Sequence, residues 1–137
     1  MRKEKTLKIL VVEHNQKTLE VVVATLIHLG HGVRAATDIK GALALLRVSK
    51  PRPETELVIT GGSMEGMHDG ITLIRQVKEL YPHMRFIFMA KDEVPVHEEY
   101  VIFNAGASAI LKKSFETEEL IAAIEKATGI RQSREYG

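Results

Sequence analysis

The chain has 137 residues, of which 45% are hydrophobic and 27% charged, with a formal net charge of +1. Those values suit one soluble globular domain, able to bury roughly two-thirds of its unfolded surface. There is no cysteine, which excludes disulfides and thiolate metal sites, and the apolar run near the start, Ile9 to Val12, is too short for a signal peptide or membrane span.

Ile9-Leu10-Val11-Val12 is a continuous β-branched-rich run, the pattern of a strand buried on both faces. From Asn15, a candidate N-cap, the spacing of Leu19, Val22, Val23 and Leu26 predicts a helix that stops at Gly30. "GVRAAT" predicts a second strand. Asp38 then caps a helix with Ile39, Ala42, Leu43 and Leu46 inward. "SKPRPET" is a loop, because two prolines break both periodicities.

"ELVIT" predicts a third strand that runs into Gly61 and Gly62, and Leu73, Ile74, Val77 and Leu80 mark the helix after it. "RFIFMA" is the fourth strand. In the less regular stretch that follows, Val96, Tyr100 and Phe103 fit one helix face. "SAIL" is a short fifth strand. "ETEELIAAIEKATG" is a final helix with acids in its first turn and Gly129 as its stop. Residues 1–129 therefore form the expected domain, and 130–137 a polar tail or the start of a linker. Five strands alternating with five helices predict an α/β fold, a doubly wound (βα)5 parallel sheet covered on both faces.

The carboxyl ends of such strands are where ligands bind. They carry Glu13-His14, Gly61-Gly62-Ser63, Ala90-Lys91 and Lys112-Lys113-Ser114. "ILVVEHN", "ELVITGGSMEGMHDG" and "AGASAILKKSF", in that order, resemble the three signatures of a response-regulator receiver domain of two-component signalling, CheY-like and flavodoxin-like in fold. The resemblance spans essentially the whole chain. It implies a three-layer sandwich and an acidic pair that holds Mg²⁺. It also implies an aspartate that accepts a phosphoryl group from a kinase histidine, a lysine and a hydroxyl that bind that group, and a switch aromatic.

This chain departs from that pattern at most functional positions. The acidic pair is Glu13 and His14, the nucleophile position is Gly61, the hydroxyl position Ala90 and the switch position Ile110; Lys113 matches, followed by Ser114. Glu65 replaces a proline, and His68 reads as an insertion. The framework with these losses resembles a degenerate, or pseudo-, receiver. No cofactor is expected, Mg²⁺ included, and no metal site is expected from Glu13, His14 and His68. Lys113 needs a new anion, and Glu13 is the natural one; Lys113→Met is then expected to be tolerated better than Glu13→Met.

"TGGSMEG" lacks the spacing of a phosphate-binding P-loop. Thr60 and Ser63 are hydroxyls whose ordinary roles are strand and turn residues, and Asp69 is expected to cap the third helix. No nucleophile–base pair can be assembled, so an enzyme is not expected.

The expected function is a phosphorylation-independent signalling module of a phosphorelay system, acting by protein contact. Tyr100-Val101-Ile102-Phe103 cannot all face inward, so Tyr100, Val101 and Phe103 are the candidate interaction face, against a histidine kinase, an output domain or a second copy in a homodimer. Neither membrane nor direct nucleic-acid contact is expected, because the basic clusters are short and lack aromatics. A cytoplasmic location follows. The alternative is an atypical receiver switched by a metal, a small ligand or phosphorylation at a non-standard residue.

Overall fold

A computed structural model describes residues 6–48, 53–61, 68–91 and 93–132. Strand and helix alternate along the chain as β1 (Lys8–Val12), α1 (Gln16–His28), β2 (Gly32–Ala36), α2 (Ile39–Leu46), β3 (Leu57–Gly61), α3 (His68–Leu80), β4 (Arg85–Ala90), α4 (Val96–Ala105), β5 (Ala109–Lys112) and α5 (Thr117–Thr128). All strand pairs are parallel, in the order β2-β1-β3-β4-β5. The order reverses between β1 and β3, so the carboxyl ends of those two strands flank a crevice.

The pleat sorts each central strand onto two cores. Leu10, Val12, Val58, Phe86 and Phe88 pack with Ala42, Leu46, Leu73, Ile74, Val77 and Ile102, so α2, α3 and α4 cover one face. Ile9, Val11, Leu57, Ile59, Ile87 and Met89 pack with Leu19, Val22, Leu26, Leu120, Ala123 and Ile124, so α1 and α5 cover the other. Every residue of β3 is buried, and β4 is buried from Phe86 onward. The result is the expected three-layer α/β/α sandwich. No helix among the described residues is long and apolar enough to cross a membrane.

Local chemistry sets the helix ends. Asn15 Oδ1 accepts the Thr18 N–H at 3.0 Å, and Asp38 Oδ1 accepts the Gly41 N–H at 2.7 Å. Glu116 and Glu119 form a reciprocal capping box at the start of α5, and Gly129, with φ +71°, ends that helix in the left-handed region.

Three details differ from the sequence reading, and α4 agrees with it. Leu80 is exposed and Ile71 joins the core instead, because the inward face of α3 is set by Leu73, Ile74 and Val77. Asp69 lies inside the first turn of α3 and not before it. On α4 the one buried residue is Ile102, and Tyr100, Val101 and Phe103 are exposed, as the candidate interaction face needs. The chain also stays docked past Gly129: Ile130 packs on the α1/α5 core, and the Gln132 N–H donates to Glu125 Oε2 at 2.9 Å. The rest of the expected tail, 133–137, lies outside the described residues, as do Gly62, Ser63 and Glu65.

Candidate functional site: a filled pocket at the ends of β1, β3 and β5

Glu13 directly follows β1. Its backbone N–H donates to the Ala36 carbonyl at 3.0 Å, which extends the β1–β2 register by one residue and keeps Glu13 inside, only 1% exposed. A buried carboxylate needs partners. Oε2 accepts the Asn15 N–H at 2.8 Å and the Lys113 ammonium at 3.0 Å. Among the described residues, none donates a hydrogen bond to Oε1.

Lys113 comes one residue after β5. Its N–H donates to the Ala90 carbonyl at 2.8 Å, which ties the segment after β5 to the end of β4. Its side chain is 18% exposed, so the ion pair joins a fully buried anion to a cation that water still reaches. The pairing expected for Lys113 is therefore present.

Gly61 is the last residue of β3 and is buried. Its φ is not positive, so the backbone does not demand glycine. Space does. A Cβ at position 61 would overlap Glu13 Oε1 and come within 3.1 Å of Glu13 Cδ. The carboxylate of Glu13 occupies the room that a side chain at 61 would need. Position 61 offers the pocket only its backbone, and the buried Thr60 hydroxyl donates to the Gly61 carbonyl at 3.1 Å.

The other candidate positions frame this centre without adding chemistry. His14 is exposed beyond Glu13. Ala90 is buried at the end of β4 and has no hydroxyl, and Ile110 is a half-buried β5 residue packed on the α3-side core. At the rim, Lys112 Nζ lies 2.7 Å from Glu93 Oε1. That hydrogen bond holds the Glu93 carboxyl below its ordinary range and the Lys112 ammonium above its own. Sequence reading missed this rim pair, since nothing in the spacing joins residues 93 and 112.

A magnesium ion takes several oxygen ligands. Among the described residues one carboxylate lies beside Lys113 and is already bound to its ammonium, position 61 has no side chain, and the residue after Glu13 is an exposed histidine. No group of three or more His, Asp or Glu side chains among the described residues could hold a metal ion. The described donor set does not fit Mg²⁺.

A second feature lies on α4. Val96 and Tyr100 are 81% and 72% exposed, and Val101 and Phe103 about 40%. Lys126 of α5 sits over the Phe103 ring, 5.6 Å from its centroid, joining this apolar ridge to α5.

The family model for the response regulator receiver domain matches residues 9–125. A comparison with curated protein sequences finds no match. Among solved structures, a response regulator receiver domain protein from Clostridium thermocellum is similar at 24% identity and TM-score 0.78, over 90% of this chain and 94% of that one. A CheY-like receiver domain protein from Methanospirillum hungatei is similar at 21% identity and TM-score 0.77, over 91% and 95%. NtrX from Brucella abortus is similar at 23% identity and TM-score 0.80, over 91% of this chain and only 27% of that one. The likeness to NtrX is thus confined to a fraction of a longer protein, and all three speak to the fold.

Proposed function

The chain belongs to the response regulator receiver domain family of two-component signalling, and from that premise we propose that it signals without aspartyl phosphate, as a non-enzymatic module acting by protein contact. One observation carries this reading: the nucleophile position is Gly61, and the space beside it is filled by the Glu13 carboxylate. A phosphoryl group has no attacking oxygen there, and Lys113 already has its anion in Glu13.

What remains for signalling is surface. The Val96-Tyr100-Phe103 ridge exposes apolar side chains that the domain itself does not cover. It suits a protein partner, whether a kinase, an output domain or a second copy of this chain. Nothing in this mode of action requires a cofactor, a nucleic acid or a membrane, and it operates in the cytoplasm.

The test is the intact mass of the protein after incubation with acetyl phosphate and Mg²⁺. The expected result is an unchanged mass. A stoichiometric, hydroxylamine-labile adduct of one phosphoryl group would overturn the reading and favour phosphorylation at a non-standard carboxylate.

A further inference from the structure

We propose that a cavity at the amino end of the sheet is a binding site for a small aromatic acid, whose ring lies on the apolar floor and whose acid group pairs with Arg85. The cavity is at the opposite end of the strands from Glu13 and Lys113. The proposal therefore goes beyond the reading above and does not depend on it.

The walls come from segments far apart in the chain. Leu7 leads into β1, Thr55 and Glu56 lead into β3, and Met84 and Arg85 stand at the start of β4. Leu80 and Thr128 are the last residues of α3 and α5, and Ile130 follows α5. The cavity measures about 460 Å³, inside the range of about 300–1,000 Å³ in which proteins hold small molecules. A hollow of that size suits a free molecule better than the flat face of a protein.

Its floor is apolar. Leu7 and Met84 are buried there, while Leu80 on the wall stays 48% exposed, so an apolar side chain of the cavity is left for a ligand to cover. Tyr81, Pro53 and Pro82 add ring faces and Met84 a thioether, surfaces that suit a flat ring.

The polar groups at the edge divide into engaged and free. Glu56 Oε1 accepts the Lys8 N–H at 3.1 Å. The Thr128 hydroxyl donates to the Ile124 carbonyl at 2.8 Å and accepts the Ile130 N–H at 3.1 Å. Lys78 Nζ lies 3.4 Å from the Pro82 carbonyl and so answers the carbonyl end of α3. Arg85 is exposed, and no carboxylate among the described residues forms an ion pair with it. Burial, and after it the Arg85 guanidinium, hold the Lys78 ammonium below its ordinary range, so the two cations stand close together. Like charges at that distance favour an anion beside them, and the guanidinium fork is the group free to take a carboxylate or sulfonate. A bound acid touches the ends of α3 and α5 together with the starts of β1 and β4. That gives the domain a chemical input that needs no aspartyl phosphate.

The probe is anilinonaphthalene sulfonate, an aromatic anion, titrated into the isotope-labelled chain and followed by amide NMR shifts. Phenylnaphthylamine, the same rings without the sulfonate, is the neutral control. The expected result is saturable shifts at Leu7, Met84 and Ile130, with Tyr100 and Phe103 unmoved, and tighter binding of the sulfonate than of the control. R85Q weakens the sulfonate about tenfold, the loss of one charge-assisted contact, and leaves the control unchanged. Shifts that never saturate, or that saturate on α4 instead, overturn the proposal, and so does an R85Q variant that keeps the full preference for the sulfonate. If R85Q does not fold, the wild type decides alone: equal affinity for the two probes overturns the proposal, and a preference for the sulfonate at this cavity supports it. The phosphodonor result is read at the other end of the sheet, so either reading can fail without the other.

Discussion

Glu13 and Lys113 differ in burial, and that difference ranks the damage done by losing either one. Water reaches the lysine but not the carboxylate. Removing the lysine leaves a buried anion with one remaining donor, the Asn15 N–H. Removing the glutamate leaves an ammonium on a flexible stem that can extend into solvent, and a methionine there would fill the space beside Gly61. Orphaning a buried charge costs about 3–5 kcal/mol, whereas a partly hydrated one costs less. Lys113→Met is therefore expected to lower stability by about 1–2 kcal/mol more than Glu13→Met, read as urea midpoints. This reverses the order expected from sequence, and equal midpoints would refute it. Charge alone pairs residues 13 and 113 on paper. It does not say which is deeper, because the depth of Glu13 comes from its backbone bond to Ala36 on a neighbouring strand.

Strands and helix ends were legible wherever the chemistry is local. Asn15, Asp38 and Gly129 act where their side chains or backbone freedom predict. On α4 the four-residue apolar run 100–103 pointed to exposed side chains, whereas periodicity did not give their direction. Val96, Tyr100 and Phe103 do share a face, but Ile102 alone is buried, so periodicity identified a stripe and not its side. His31 was missed altogether, since a histidine between two glycines reads as a turn. In the fold it joins the start of β2 to β1: the Leu7 N–H donates to His31 Nδ1 at 2.9 Å, which requires a neutral ring. Burial lowers its pKa from the ordinary 6.5, partly offset by Gln132 and by the Glu56 carboxylate. Between the lowered and the ordinary value, the unfolded chain binds a proton that the folded chain refuses. This contribution is complete above about pH 6.5 and is lost as pH falls through the folded value. Thermal scans from pH 8 to pH 5 should show wild type losing stability below that point, relative to a flatter His31→Asn curve. Parallel curves would mean that the ring does not titrate against folding.

At the scale of the whole molecule, alternation predicted a parallel sheet covered on both faces, because right-handed crossovers leave few arrangements for five parallel strands, while the flavodoxin-like fold came from the resemblance. The filled pocket was not legible in the same way. It depends on three strand ends meeting, and no single motif contains Glu13, Gly61 and Lys113 together. The same assembly leaves an apolar ridge on α4 uncovered, extended by the Lys126–Phe103 contact to α5. Side chains this exposed contribute little to the fold, so V96S/Y100S should change unfolding stability by no more than about 0.5 kcal/mol. Its effect belongs to association. If the ridge pairs with a second copy, the wild-type mass measured by light scattering should rise with concentration from one chain toward two, while V96S/Y100S stays at one chain. Identical curves with rising mass would move the interface elsewhere on the domain. A wild type that stays at one chain would instead assign the ridge to a different protein, and V96S/Y100S would then be the variant that fails to bind it while folding as well as the original.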